Sequence, residues 1–434
     1  MPQGSSSPTQ PPEVKPEPHE LVSPGRVLRS RAGPLLAPPP SPGFGTPDAS
    51  RGLHTRTTPV AIRHVTFEGQ EREAEQLGGL NATCKVTEVP RLSSTANFLN
   101  ALLLVAVALP GIYVGWAVCH GTSSTAPPAL PAPLWPGGQL WPNLAHLASL
   151  QWWQALGFHH PLLFVNLLFF FNVDVLFWVV AQLQGTTWLI DPYWTLLPPA
   201  LQLLYQFHPR AQCNVWRGIV ASTILRTWAC RLTYSYFRRE EWQFGAREDW
   251  RYSDLARQFT RHWWWLSFLA TYLVQHAMLV GITLPLAAVY SSSAAWGPWD
   301  TAASIVALCG MVTSWVADNQ LRDFMLGNKL RLHVGLEPLL LLDSGLWRYS
   351  RHPNYFGEQL YWWGMSLFAV GLGQPWMMMG TLFNSLCMIP VTQMTEARML
   401  QRPERAQLFK EYQASTSCWL PWLPRRRGAG MKME

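Results

Sequence analysis

The residues best suited to chemistry lie in one polar run, D-S-G-L-W-R-Y-S-R-H-P-N-Y-F-G-E, at positions 343–358. Apolar segments flank this run on both sides. Its main hydrogen-bonding side chains are Arg348, Arg351, His352, Asn354, Tyr355 and Glu358. Guanidinium groups beside an aromatic ring suit a cofactor that carries phosphates and rings, because arginine binds phosphate in a bidentate manner. Ionisable side chains near membrane depth are candidates for function.

The end of this run, R-H-P-N-Y-F-G-E, resembles the C-terminal signature of the steroid 5-alpha-reductase and sterol reductase superfamily. The whole run is similar to an unassigned family of membrane oxidoreductases grouped with those enzymes. The resemblance implies a reductase that uses NADPH on a carbon–carbon double bond in a lipid-like substrate, such as an enone sterol or a polyprenoid. It also implies that five residues of the run bind the cofactor: Arg348, Arg351, His352, Asn354 and Tyr355.

Two further segments carry the same resemblance. Asp318 and Arg322 are four residues apart at the end of an apolar segment, so they share one helix face. In the steroid 5-alpha-reductases this face is turned to the cofactor, although the family usually has asparagine at the position of Ser314. Glu396 and Arg398 lie in a stretch similar to the reductase C-terminus, which implies that they close over the nucleotide. The alternative for each pair is a structural role at the end of a helix.

A proton donor must be sought among acids close to the apolar spans. Asp191 stands at a span boundary, just before Tyr193 and Trp194. Because burial disfavours the charged form of a carboxyl group, Asp191 could stay protonated and donate a hydrogen bond to a substrate carbonyl. Tyr193 and Glu358 are the next candidates for catalysis. Asp174 lies inside a span, and we expect it to be structural, paired with an arginine such as Arg226 or Arg231.

Two other functions remain open at this stage. A methyltransferase that uses S-adenosylmethionine would share the R-H-P-x-Y-x-G core, but Glu358 directly after Gly357 favours the reductase. A non-catalytic membrane scaffold could also keep the same fold. The glycine pattern of a Rossmann site is not found after any predicted strand, so a dinucleotide would be held by side chains between helices. The seven cysteines are scattered, and no metal site is predicted.

The elements that position these residues are predicted to be membrane helices. The chain has 434 residues, of which 48% are hydrophobic and only 14% are charged, against about 25% charged in soluble domains. Between Phe98 and Phe237 the charged residues are Asp174, Asp191, Arg210, Arg217, Arg226 and Arg231. The net charge of +7 falls in loops beside apolar spans, which indicates a membrane surface as partner rather than nucleic acid.

The fold is therefore predicted to be all-α and polytopic, with seven to eight transmembrane spans. The predicted spans are Asn97–Val118, Pro161–Leu183, Tyr193–Phe207, Val215–Tyr236, Trp264–Val289, Ala302–Ala317 and Tyr361–Met394, the last of which could be a hairpin. We expect a disordered tail over 1–95, a membrane domain over 96–424 and a basic tail over 425–434.

The positive-inside rule places the signature run on the cytosolic face, because the basic loops around it lie on one side of the membrane. The resemblance favours the endoplasmic reticulum as the location, with a plastid membrane as the alternative. The sequence predicts no oligomeric state.

Overall fold

A computed structural model describes residues 89–120 and 149–425 of the chain. Nearly all of the predicted N-terminal tail, and all but the first residue of the predicted basic tail, lie outside the described residues. Within the described part the protein is helical, as predicted. The strands there are two pairs of residues, β1 (Gln212–Cys213) and β2 (Ser291–Ser292), which form a short parallel ladder.

Fourteen α-helices occur in the described part, and we number them in chain order. The first seven are α1 Ser94–Ala106, α2 Leu109–His120, α3 Leu150–His159, α4 Pro161–Phe169, α5 Trp178–Gln184, α6 Ile190–Gln206 and α7 Val215–Arg239. The others are α8 Trp250–Phe259, α9 Trp263–Ser267, α10 Val274–Val289, α11 Pro298–His333, α12 Pro353–Gly371, α13 Met379–Leu400 and α14 Pro403–Ser415.

Shorter helical turns join several of these helices. Two are π-helical, Phe170–Phe177 and Phe268–Leu273, and they make α4 and α5, and also α9 and α10, into continuous helices. The remaining three are 3₁₀ turns: Thr260–His262, Gly345–Arg348 and Pro375–Met378.

Four helical stretches in the described part are long and apolar enough to cross a membrane. They are Ser94–His120, Pro161–Gln184, Trp250–Val289 and Pro298–His333. The other predicted spans are also helical, but they are not among these four stretches. The chain is thus a membrane protein with several apolar helices, and the count of seven to eight spans stays a prediction.

The last predicted span is broken into two helices. Gly373 has a positive φ of 74°, and Pro375 begins a 3₁₀ turn, so α12 ends and α13 starts in a new direction. The two helices pack against each other, because Trp363 donates to Ser385 at 3.0 Å and Ser366 bonds to Thr381 at 2.6 Å. This break agrees with the hairpin that the glycines and proline predicted.

Helices α11 and α12 are packed backbone to backbone. A Cβ placed on Gly357 would lie 2.4 Å from the Ser314 nitrogen, and one on Gly364 would lie 2.3 Å from the Ala307 nitrogen. Such contacts admit only glycine, which is a common way for membrane helices to approach closely. The contact fixes the register of α12, the helix that carries the end of the signature run, against α11, which carries Asp318.

Candidate functional site

Charged and polar side chains meet where α7, α11 and α12 converge. Arg231 donates to Asp318 at 3.1 Å and also to Glu358. Trp228 donates through its indole nitrogen to the other Glu358 oxygen at 2.7 Å. Asn354 donates to the second Asp318 oxygen at 3.2 Å. We call these five residues the polar cluster.

The local sequence explains how each helix presents its part of the polar cluster. Trp228 and Arg231 are three residues apart on α7, and Asn354 and Glu358 are four apart on α12, so each pair shares a helix face. Pro353 starts α12 at its first position, where a proline costs no hydrogen bond. The signature run therefore ends in a helix whose first turns face Arg231.

The polar cluster carries more negative than positive charge. One guanidinium faces two carboxylates, and the side chains of Asp318 and Glu358 remain 27% and 22% exposed. The Arg231 side chain is only 10% exposed. Carboxylate oxygens that are partly accessible in this way can accept hydrogen bonds from a ligand's amide or hydroxyl groups.

A second group of residues joins the signature run to the C-terminal part of the chain. Arg351 donates to Glu396 at 2.8 Å and to the carbonyl oxygens of Gln413 and Thr416. His352 bonds to the same Glu396 carboxylate at 3.0 Å. We call these five residues the C-terminal clamp. All three guanidinium nitrogens of Arg351 are occupied within the protein, since its third nitrogen also bonds to Glu396.

Backbone hydrogen bonds hold the C-terminal clamp together. The Arg351 and His352 amides donate to the carbonyls of Ser417 and Cys418 at 2.9 and 3.0 Å. The Trp422 amide donates to the Tyr349 carbonyl at 2.9 Å. Arg351, His352 and Glu396 are thus brought together, but their polar atoms bind the protein's own chain. This arrangement gives them a structural role, which the sequence analysis had named as an alternative for Glu396.

The pKa of Glu396, which lies outside the four apolar helices, reflects this bonding. Burial acts to raise its pKa, but hydrogen bonds from His352, Arg351 and Gln413 outweigh burial and lower the pKa to about 2. The carboxylate is therefore ionised at any physiological pH. Within the C-terminal clamp its charge is matched by Arg351, in contrast to the unbalanced polar cluster.

Three predicted cofactor arginines keep unused donors. Arg348 is exposed and forms no ion pair or side-chain hydrogen bond in the described part of the chain. Arg322 has one ion-pair contact, to Asp323 at 3.8 Å. Arg398 is exposed and stacks over the Trp250 ring at 4.3 Å. Guanidinium groups with free donors can bind phosphate.

The turn that carries Arg348 is fixed to the helix that carries Arg322. The Leu346 amide donates to the Gln320 side chain at 2.9 Å. Gly345 has a positive φ of 62°, and a Cβ there would lie 2.4 Å from Gln320. The two arginines therefore belong to chain segments that meet at the cytoplasmic-side end predicted for α11.

Tyr355 lies between the two groups of residues. Its ring stacks on His352, with 5.1 Å between centroids and 11° between planes. Its chain neighbour Asn354 belongs to the polar cluster. Within the described residues, the Tyr355 hydroxyl has no hydrogen-bond partner, so the side chain offers both a free hydroxyl and an aromatic ring.

The predicted proton donors are placed differently from one another. The Tyr193 hydroxyl donates to the Leu104 carbonyl, and its ring packs on Phe177 at 4.7 Å, so it fastens α1 to α6. Asp191 is half-buried in the first turn of α6, outside the four apolar helices, and its side chain forms no hydrogen bond in the described part. Burial, and then the charge of Asp249, raise its pKa to about 8. A pKa of about 8 favours the protonated form of Asp191 at neutral pH, and its catalytic role stays a prediction.

The expected partner of Asp174 was wrong. Asp174 bonds to His276 at 2.6 Å, and not to Arg226 or Arg231. Arg231 instead belongs to the polar cluster. The sequence signal for Arg231 was its charge within a predicted apolar span. Ser314 is fully buried, and its hydroxyl donates to the Met311 carbonyl at 3.1 Å. Position 314 is therefore used for packing α11 against α12.

Comparisons with known proteins identify a family and name no reaction. The chain is 28% identical over 279 residues to an uncharacterized protein of Schizosaccharomyces pombe, a match that covers 60% of this chain and 79% of the yeast protein. No solved structure matches. Residues 177–416, which include the polar cluster and the C-terminal clamp, match the family described as "Protein of unknown function (DUF1295)", and the chain belongs to that family.

Proposed function

We propose that this protein is a membrane oxidoreductase of the steroid 5-alpha-reductase-like type, which uses NADPH to reduce a carbon–carbon double bond in a lipid-like substrate. One observation carries the proposal. The partly exposed Glu358 and the unpaired Arg348 belong to one signature run, and Asn354 of that run bonds to the partly exposed Asp318 of α11 at the point where the run enters α12.

The residues present fit a phosphate-bearing nicotinamide cofactor. Asp318 and Glu358 can accept hydrogen bonds from a carboxamide and from ribose hydroxyls. Arg322, Arg348 and Arg398 offer guanidinium donors to phosphates. The signature resemblance points to the same class of ligand. When bound, NADPH supplies a hydride.

The remaining tasks fall to Tyr355 and Asp191. Tyr355 offers a ring for stacking, and His352 holds that ring in place from the C-terminal clamp. Asp191 carries a proton at neutral pH, which suits a group that protonates a substrate carbon or polarises a carbonyl. Apolar helices around the site fit a substrate that arrives from lipid.

A binding experiment separates this proposal from the alternatives. Purified protein in detergent is titrated with NADPH and, separately, with S-adenosylmethionine. We expect NADPH to bind. In Arg348→Ala its affinity should fall roughly tenfold or more, because a lost charged hydrogen bond costs about 1.5–3 kcal/mol.

Arg257→Ala is the matched control. Arg257 is another exposed arginine, but it already pairs with Asp254 on the same helix, α8. Its removal should leave NADPH binding unchanged. Binding of S-adenosylmethionine in place of NADPH would establish the methyltransferase, and binding of neither would favour a scaffold.

A further inference from the structure

Three side chains with metal-binding atoms meet at the C-terminal clamp. They are His352, Glu396 and Cys418, and one nitrogen, one oxygen and one sulfur atom from them all lie within 4.8 Å of one another. The Glu396 Oε1 atom lies 3.0 Å from the His352 Nε2 atom and 3.9 Å from the Cys418 Sγ atom. The ligand atoms around a tetrahedral zinc ion are about 3.3–3.6 Å apart, given its bond lengths. Small side-chain shifts would therefore let all three atoms bind one ion.

The protein holds these three residues close together through its own hydrogen bonds. The His352 amide donates to the Cys418 carbonyl at 3.0 Å, so the two residues lie side by side on neighbouring chain segments. The Ser350 hydroxyl donates to the same carbonyl at 3.1 Å. Glu396 comes from a third segment, helix α13. A site that is formed before its ligand arrives binds with less ordering cost.

The Glu396 carboxylate is oriented in the way that metal ligands usually are. Its Oε2 atom accepts hydrogen bonds from Gln413 at 2.7 Å and from Arg351 at 3.3 Å. Outer hydrogen bonds of this kind fix the direction of a ligating carboxylate. The Oε1 atom also accepts from the Arg351 Nε–H group at 2.8 Å. Because a carboxylate oxygen has two lone pairs, that bond can stay while an ion replaces the hydrogen bond to His352.

The charges at this position also suit a divalent cation. When an ion binds, the Cys418 thiol releases its proton to solvent as the metal–sulfur bond forms. His352 stays neutral, with its proton on Nδ1 and its Nε2 lone pair on the ion. The Glu396 carboxylate and the Cys418 thiolate then place two negative charges against the single positive charge of Arg351.

The mixed set of donor atoms narrows the class of ion. Thiolate and imidazole ligands select Zn²⁺ and similar ions, whereas Mg²⁺ and Ca²⁺ prefer oxygen ligands. We propose that His352, Glu396 and Cys418 bind a Zn²⁺-class ion, which fastens the C-terminal segment over the signature run. The sequence predicted no metal site, because these ligands lie in three separate segments without a zinc-type spacing. The inference does not depend on the proposed reductase function.

The first test titrates purified, untagged, chelator-treated protein with Zn²⁺ and follows thermal unfolding in detergent. Because an ion that binds only the folded state stabilises it, Zn²⁺ should raise the unfolding temperature of the wild type, and Mg²⁺ should not. Cys418→Ser should bind Zn²⁺ at least about tenfold more weakly, since losing even an outer partner of a ligand costs about 10–100-fold. Cys387→Ser is the matched control, because Cys387 is a free cysteine of α13 outside this group, and it should bind like the wild type.

The second test uses the wild type alone, so it does not depend on the folding of a variant. Iodoacetamide alkylates the cysteines with and without Zn²⁺, and mass spectrometry follows each one. Bound Zn²⁺ should slow the alkylation of Cys418 and leave the rate at Cys387 unchanged. Equal rates at Cys418 with and without Zn²⁺ overturn the metal site. Equal Zn²⁺ affinity in Cys418→Ser and the wild type, or no binding by the wild type, overturns it as well.

Discussion

The polar cluster and the C-terminal clamp each take two residues from the same signature run, yet they differ in which hydrogen-bonding groups they leave without a partner. The clamp has one guanidinium, Arg351, whose nitrogens are all bonded to Glu396 and to backbone carbonyls. The polar cluster has one guanidinium, Arg231, between two partly exposed carboxylates, and its Nε–H has no partner. One part of the run is thus fully bonded within the protein, and the other part keeps accessible polar atoms.

The largest expected effect comes from breaking the C-terminal clamp. Arg351→Ala leaves Glu396 without its main partner in a site where both side chains are mostly buried, at 12% and 14% exposure. Breaking such a pair costs about 3–5 kcal/mol. We expect a clear drop in the thermal unfolding temperature in detergent. Arg348→Ala should stay within about 0.5 kcal/mol of the wild type, as an exposed residue without partners does.

One result would contradict the prediction for Arg351→Ala. If Arg351→Ala unfolds like the wild type but loses NADPH binding, the clamp is itself a cofactor site. The assignment of Arg351 to structure would then be wrong, and its predicted role in cofactor binding would stand.

The next largest effect on stability is expected at the contact between α11 and α12, which positions the polar cluster and the C-terminal clamp. Gly357→Ala pushes a Cβ to 2.4 Å from the Ser314 backbone nitrogen, and overpacking of this kind costs about 1–3 kcal/mol. Gly327→Ala is the control on α11, because nothing lies within 4 Å of a Cβ there. We expect only Gly357→Ala to lower the unfolding temperature. Equal unfolding temperatures for the two variants would contradict the close packing.

Acid should weaken the clamp. The folded-state pKa of Glu396 is about 2, against a reference of 4.5. A depressed pKa stabilises the fold above the unfolded value and loses that stabilisation as the pH falls through the folded value. Stability that comes from Glu396 should therefore decline between about pH 4.5 and pH 2. In Glu396→Gln the pH dependence in this window should flatten, as unfolding curves at several pH values would show.

Sequence reasoning located the signature run and Asp318 because composition and local spacing mark them. It also predicted the all-α membrane fold and the break near Gly373 and Pro375. It could not predict that Arg231 enters the polar cluster, since that contact depends on how α7 packs against α11 and α12. The contact of Arg351 with Glu396 could not be predicted from the sequence either, because it depends on how the C-terminal part of the chain folds back over the signature run.

The central claim is that the polar cluster binds the cofactor while the C-terminal clamp holds the fold. The most direct test titrates NADPH, through its own fluorescence, against purified Asp318→Ala and Glu396→Gln. We predict that Asp318→Ala, in which Arg231 keeps Glu358 as a partner, stays folded and binds NADPH roughly ten- to hundredfold more weakly. Glu396→Gln should lose stability and bind NADPH normally in its folded fraction. The reverse pattern, with normal binding in Asp318→Ala and lost binding in a fully folded Glu396→Gln, would contradict the account.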